Sequence, residues 1–505
     1  MNIVVVGAGI AGLGSALALA RDGHTVTVLE RDATPMPASA DEAFLWARRG
    51  APQVRHSHAM LARLRNLLRD RCPDVLEALL DAGATEMLFM QNLPETLTDF
   101  DARDGDEDLV ALACRRTTFE WVLRRYVLSI TGIEIRDGVL VDGFVVDEPQ
   151  VAQTRIETPR VVGVRTNAGL ELADLVIDAS GPRTPSATWL HDIGVIEPEP
   201  DVQMSEIVYF SRFYRLREGF EAPVLAGPVA GDLGYLKFAV FVGDNRTFSL
   251  TYAVDSQDQE LRSRLADADG FELAAQQLMA ARPWIDGRSE PITEVHVMAG
   301  LKNRRRHFVV DGSPIVTGVV SVGDASVCTN PLYGRGCSLS LVHAFGVADL
   351  VKLHGAELRE LALAVDEFTR RELDPWFKAA VQQDLETIEL RESRALEGAS
   401  AGERVESRAL EGASAGERVD TSDVVDPKQW ARDVFREGLM PAMRTSPVVF
   451  RAFLRWFNLL ATPDALMNDP AVIVAVLASY QDREHRPPEP LMGPASRDAF
   501  LVAVS

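Results

Sequence analysis

The chain has 505 residues, 47% of them apolar and 25% charged, with a formal net charge of −22; that length permits a large buried core and about two to four folding units. So acidic a balance argues against broad nucleic-acid binding, which needs clustered Lys and Arg against phosphate, and against general adhesion to an anionic membrane. Four cysteines, Cys72, Cys114, Cys328 and Cys337, are too few and too scattered for a disulfide framework or paired zinc knuckles and read as reduced thiols.

The opening reads strand, tight turn, helix, strand: Asn2 to Val6, Gly7 to Gly12, an Ala/Leu-rich helix to about Arg21, then Thr25 to Glu30. Fully apolar strands alternating with helices predict a parallel sheet covered on both faces. A strand starting at Asn2 leaves no room for a signal or transit peptide, and no apolar run reaches the ~18 residues of a spanning helix, so the expected location is cytoplasmic. Arg48 to His58 is basic and loop-like, and two helical stretches follow, with Leu61, Leu64, Leu67 and Leu68 on one face of the first and Val75, Leu76, Leu79 and Leu80 in the second. A helix from about Thr117 to Thr131 leads to strand-like segments at 133–147 and 161–177. Alternation in Ile207 to Phe210, Leu236 to Val242 and Thr247 to Val254 predicts a largely antiparallel substrate-facing sheet. An apolar strand at Gly318 to Val322 and a helix from about Arg335 to Leu353 return the chain to the first type of pattern.

Glu392 to Val405 is repeated residue for residue at Glu406 to Val419. One extra copy is too few for a solenoid and reads as a tandem duplication in a tolerant linker. Gln429 to Tyr480 is helical and apolar. Within it, Arg451, Arg455 and Asn458 share one stripe of a helix from Ser446 to Leu460, which reads as a core or dimer helix, with a substrate-entry cap or a peripheral membrane dip as alternatives.

Gly7, Gly9 and Gly12 form G-x-G-x-x-G between a strand and a helix, the context that motif requires. The first glycine permits the turn, the second lets a pyrophosphate approach the backbone, and the third lets helix and strand pack. Glu30 ends the second strand, where a carboxylate accepts hydrogen bonds from a ribose diol and repels a 2′-phosphate, and Arg31 beside it is a further expected cofactor-binding residue. This fingerprint alone does not separate NAD from FAD. A second motif does: Gly323-Asp324-Ala325, then Pro331, then Gly334-Arg335-Gly336, again between an apolar strand and a helix.

On these residues the chain resembles the para-hydroxybenzoate-hydroxylase-like (group A) FAD-dependent monooxygenases, whose second FAD motif reads GDA followed by a proline and G-x-G. The resemblance implies that Asp324 binds the ribityl chain of FAD, while Pro331, Gly334 and Gly336 line the flavin. The family's third motif carries an Asp-Gly pair; here it reads Asp178-Ala-Ser-Gly181, similar to the squalene-epoxidase-like, halogenase-like and reductase-like branches, which leaves direct use of NAD(P)H less secure. By the same resemblance Arg55 and one of Arg115 and Arg116 meet FAD, and Asp178 belongs to the FAD domain and its cofactor contacts. His56 and His58 lack a carboxylate or cysteine at ligand spacing, so no metal is expected.

The implied fold is α/β: an FAD-binding Rossmann-like domain of the glutathione-reductase type over 1-195 and 301-355, an inserted mainly antiparallel substrate domain over 196-300, and a helical C-terminal region over 356-505 holding the duplicated linker at 392-419. The implied function is an FAD-dependent monooxygenase, with NAD(P)H as reductant and dioxygen as co-substrate, that hydroxylates or epoxidises a small, largely apolar organic molecule. An FAD-dependent reductase or dehydrogenase of an apolar chain is the competing reading. A flavin-dependent halogenase is a lesser one, because no tryptophan pair has the G-W-x-W-x-I-P spacing.

Overall fold

In the computed structural model of the chain the described residues are 1–91, 93–97, 100–147, 158–223, 229–389, 391 and 427–505. The duplicated segment lies outside them.

The apolar runs pair as a five-stranded parallel sheet in the order Val319–Ser321, Leu175–Asp178, Asn2–Val6, Thr25–Glu30, Ile133–Asp137. Strands covered on both faces have no polar side to alternate with, which is why they read as continuous Val, Ile and Leu. On one face the first helix, Ile10–Arg21, packs against the helix Gly336–His354 so closely that a Cβ at Gly14 would stand 2.6 Å from Leu341 Cδ2. Val5, Leu13, Leu17, Val28, Ile177, Leu341 and Phe345 are among the buried side chains of this core. Among the described residues, Gly336–His354 is the one helix long and apolar enough to cross a membrane, contrary to the expectation from apolar runs. Its Ser, Gly and His residues interrupt the run without lowering the mean enough, and most of the helix is buried within the protein.

A three-stranded antiparallel meander, Val141–Val146, Val161–Thr166 and Gly169–Leu172, occupies the other side of the FAD-type sheet. The layer expected to face substrate is antiparallel, in the order Ala230–Asp232, Lys237–Val242, Thr247–Asp255, Ile207–Leu216, Ser289–Pro291, with His296–Met298 also paired to Ile207–Leu216. Val208, Phe210, Tyr214, Phe248, Leu250 and Tyr252 project to its helix-covered side, against Leu261, Leu265, Phe271 and Ala274. The two-residue period then places Tyr209, Ser211, Ser249 and Thr251 on the opposite face.

The C-terminal helices Pro427–Thr445, Pro447–Phe457 and Pro470–Gln481 form their own apolar cluster around Val449, Val472 and Val476. Pro447–Phe457 docks on the FAD-type domain, and the last helix, Arg497–Ala503, inserts Phe500 and Leu501 into the substrate-layer core. Of the stripe Arg451, Arg455 and Asn458, the first and last are buried and Arg455 is half-buried. Arg451 pairs with Asp106 at 2.8 Å and covers the Phe100 ring, and Asn458 accepts a hydrogen bond from the Ala62 amide at 3.0 Å.

Candidate active site

The first glycine motif is shaped by close approach. Gly7 has φ of +100°, and a Cβ there would lie 2.7 Å from the Ala179 carbonyl oxygen; one at Gly12 would lie 1.9 Å from the Gly7 carbonyl oxygen. Gly9 is the opposite case, with nothing within 4 Å of where its Cβ would be and no side chain capping the helix that follows. Its backbone therefore looks into open space at a positive helix end, which suits a pyrophosphate. Glu30 is buried and oriented toward this loop: Oε2 accepts from the Ala8 amide and Oε1 from the Asp32 amide, both at 2.9 Å. Each oxygen keeps a further lone pair for a ribose hydroxyl.

The second motif forms a matching end. Gly323 (φ +59°) donates its amide to His343 Nδ1 at 3.2 Å, and His343 Nε2 lies 3.3 Å from Thr369 Oγ1. Burial, then the nearby Arg305, lowers the His343 pKa to about 3, so the ring is a neutral acceptor at ordinary pH. Asp324 is partly buried; burial raises its pKa, while the Arg116 and Arg304 guanidinium groups act against that. Asn330 Oδ1 accepts from the Leu332 amide at 3.1 Å and from the Tyr209 hydroxyl at 2.9 Å, which ties the turn Pro331–Tyr333 to the substrate layer. Gly334 (φ +65°) leaves room for Ala59, and Gly336, like Gly9, has nothing within 4 Å of a would-be Cβ and opens an uncapped helix. Pro331 is exposed beside it.

Between these ends several buried polar atoms have no hydrogen-bond partner: Arg116 Nε, Thr117 Oγ1, Glu120 Oε2 and Ser338 Oγ. Leaving such groups unmade costs about 1–3 kcal/mol each, and native proteins seldom tolerate a cluster of them without a ligand or water. Arg116 Nη1 stands 3.4 Å from His58 Nε2 and its Nε 3.6 Å from Glu120 Oε2. Two open helix ends, a ribose-facing carboxylate, a second carboxylate near two arginines and unspent polar atoms between them fit FAD.

Three predicted residues are placed elsewhere. Asp178 is fully buried, and its carboxylate accepts from the Ser180 amide and hydroxyl, the Thr184 and Ser186 hydroxyls at 2.8 and 2.7 Å, and the Ser321 hydroxyl. With Arg306 at 3.7 Å as well, it braces the Asp178–Gly181 turn and presents no free oxygen to a cofactor. Arg55 ends the 3-10 turn Pro52–Arg55, is exposed, and exerts its charge on His296 of the substrate layer. The arginine of that basic loop that reaches the glycine motif is Arg48, which donates to the Ala8 carbonyl at 3.0 Å and to Glu120 at 2.7 Å and sits 3.5 Å from Glu30. Arg31 is exposed, beside Gly50. Of the adjacent pair, Arg116 faces the cleft, while Arg115 is not a surface charge but a buried partner of Asp244 at 2.6 Å.

The segment His56 to His58 closes onto the polar face of the substrate sheet. His56 Nδ1 lies 3.1 Å from Ser211 Oγ, and Ser57 Oγ lies 2.7 Å from Ser249 Oγ and 2.6 Å from Thr251 Oγ1. Burial, reinforced by His296, lowers the His56 pKa to about 4, and burial with Arg116 takes His58 to about 3. Both rings are neutral at pH 7. They line a small cavity with Arg116, Phe213, Phe241 and Ser249. On the far side Asp384 accepts from Ser205, Asn303 and Asn330 at 2.7–2.8 Å, tying the second motif to the strand Lys302–Arg305 and to Ser205. Nothing in the sequence signals Arg48, Asp384 or His343, because their partners are brought in from remote parts of the chain.

Residues 2–103 match the FAD dependent oxidoreductase family. Protein Rv3254 of Mycobacterium tuberculosis (strain ATCC 25618 / H37Rv) is 28% identical over 399 residues, which cover 75% of this chain and 79% of that protein. Among solved structures, PqsL, a probable FAD-dependent monooxygenase from Pseudomonas aeruginosa, superposes with a TM-score of 0.53 at 16% identity, over 76% of this chain and 94% of PqsL. The flavin-dependent brominase Bmp2 gives 0.57 at 14% identity, over 96% of this chain and 100% of that one. Residues 2–103 are thus similar to FAD dependent oxidoreductases, and the chain shares the fold of PqsL and Bmp2.

Proposed function

We propose that this FAD-dependent oxidoreductase is a monooxygenase that hydroxylates or epoxidises a small, largely apolar organic molecule. The observation that carries the reading is the open end of the helix Gly336–His354, which Arg116, touching Cys337 and His58, links through His56 to the hydroxyl-lined face at Ser211. When bound and reduced, FAD supplies the oxygen-activating chemistry, and the protein's part is binding, orientation and exclusion of water. The Gly9 amides would hold the pyrophosphate, Glu30 would accept from the ribose, and Asp324 would accept from the ribityl hydroxyls with Arg116 beside it. The amides at Gly336 would favour negative charge placed at that helix end. Phe213 and Phe241 exclude water from the cavity, and neutral His56 offers one donor and one acceptor next to the Ser211 hydroxyl.

The Glu30 carboxylate disfavours a 2′-phosphate at this nucleotide site, which supports FAD rather than NADP as its resident. We infer that electrons come from NAD(P)H and that the enzyme works in the cytoplasm; the free cysteines Cys72, Cys114, Cys328 and Cys337 suit a reducing compartment.

The test is to supply the FAD-loaded protein with a reductant, labelled dioxygen and a panel of apolar aromatic and polyene compounds. One labelled oxygen atom in a product is expected. A product altered only by two hydrogens, without label, contradicts the reading and makes the enzyme a reductase or dehydrogenase.

A further inference from the structure

Arg335 lies between Gly334 and Gly336 of the second motif, yet its side chain has no part in the contacts described so far. It is 2% exposed and boxed by three aromatic rings, with Cζ at 4.6 Å from the Tyr333 centroid, 5.0 Å from Trp376 and 5.5 Å from Trp456. These rings come from three separate stretches: the flavin motif itself, the helical stretch 374–389 and the C-terminal helix Pro447–Phe457. Leu61, Leu339 and Leu459 close the apolar wall.

A guanidinium so buried needs an anion. Arg48, Arg115, Arg305, Arg306 and Arg451 are comparably buried, and each has a carboxylate within 2.8 Å. Among the described residues Arg335 has none: its Nε and Nη1 are buried without a hydrogen-bond partner, and so is Trp376 Nε1. The titratable neighbour acting on it is the Tyr333 phenol, and burial lowers the guanidinium pKa to about 10. It therefore stays charged at neutral pH, with its faces on aromatic rings and in-plane N–H groups unspent. An unpaired charge in such a place costs several kcal/mol, unless a ligand completes the site. FAD's own charges would have partners elsewhere, the pyrophosphate at the Gly9 end and negative charge on the reduced ring at the Gly336 amides, and neither Asp324 nor Arg116 is among the groups acting on Arg335.

We propose that Arg335, with the Trp376 indole N–H and inside the box of Tyr333, Trp376 and Trp456, recognises a carboxylate on the substrate, so that the substrate is a planar, largely apolar acid. The inference rests on the reading of this site as a flavin monooxygenase. A planar guanidinium gives paired N–H groups that match a carboxylate, and the aromatic walls suit an apolar ring attached to it. The C-terminal region then has a function, since Trp456 supplies one wall of the substrate's polar end.

The experiment is calorimetric titration of the FAD-loaded full chain with 2-naphthoate and with its neutral isostere 2-naphthamide. The carboxylate should bind roughly 10- to 100-fold more tightly, the range for hydrogen bonds to a charged group. In Arg335→Met that preference should vanish while the bound-FAD absorbance remains; Arg335→Lys, which keeps charge without the planar fork, should fall between. Equal affinity in the wild type, a preference that survives in Arg335→Met, or no naphthoate binding at millimolar concentration overturns the proposal. Should Arg335→Met lose FAD, the wild-type contrast and Arg335→Lys still decide. Chloride titrated alone with a saturating heat would reassign the box to inorganic anions and overturn it too. Failure to incorporate labelled oxygen leaves this result standing, and equal affinities leave the monooxygenase reading standing.

Discussion

Asp178 and Asp324 sit at corresponding ends of neighbouring parallel strands and have opposite surroundings. Asp178 is saturated by backbone and hydroxyl donors, while Asp324 has its carboxyl near Arg116 and Arg304 and open to the cleft. Asp178→Ala should therefore cost about 2–4 kcal/mol of stability, because it strands buried donors and Arg306, and should leave the FAD affinity of the folded fraction little changed. Asp324→Ala should do the reverse, weakening FAD roughly 5- to 30-fold with a small stability change. Chemical denaturation and FAD titration of both variants separate the two roles. The buried histidines add a pH dependence. His56, His58 and His343 have folded values of about 4, 3 and 3 against 6.5 in an ordinary setting. Below pH 6.5 the unfolded chain takes up protons that the folded one refuses, so stability is full above that value and falls as the pH drops toward the folded values. Each histidine contributes a slope of up to about 1.4 kcal/mol per pH unit in that window, and His58→Gln should flatten the measured profile by about one such increment. The residue types at these positions were legible in the sequence. Their roles were not, because an aspartate after an apolar strand reads the same whether hydroxyls or a cofactor meet it.

At the scale of elements, Ser446, Asp469 and Ser496 cap helices of the C-terminal region with their own side chains, whereas the two glycine-motif helices have no side-chain cap and a Cβ at Gly9 or Gly336 would meet nothing within 4 Å. Capping residues can be read locally, and so can the glycines that leave an end bare. The helix Pro447–Phe457 reads as a core or dimer helix, but what its stripe of Arg451, Arg455 and Asn458 would meet is not legible. The partners of Arg451 and Asn458, Asp106 and the amide of Ala62, lie hundreds of residues away and leave no periodic trace. Likewise Arg48 and Arg55 are indistinguishable in a basic loop until the turn at Pro52 sends one inward to Glu120. Asn458 is fully buried and bonds the start of the helix Ala62–Arg71 through both its side chain and its backbone carbonyl. Asn458→Ala should cost about 1–2 kcal/mol and loosen the C-terminal helices from the FAD-type domain. Hydrogen exchange should show lost protection around residues 62–65 and 447–459 first; uniform loss across the chain would argue against a local fastening.

For the whole molecule, the fold class followed from two periods: unbroken apolar runs gave the parallel sheet, and alternation gave the antiparallel layer on which Ser211, Ser249 and Thr251 meet His56 and Ser57. Contacts between remote elements, such as Asn330 to Tyr209 and Asp384 to Asn303, belong to the assembled fold and to no stretch of sequence. The central claim is that one cleft, bounded by the open ends at Gly9 and Gly336, holds the whole of FAD. Titration of the apoprotein with FAD and with FMN tests it most directly, since FMN lacks the second phosphate and the adenosine ribose that Gly9 and Glu30 are placed to hold. FAD should bind roughly 100-fold or more tightly than FMN, the worth of two or three such polar contacts. Equal affinity for the two flavins, or a protein that takes up neither, would contradict the account.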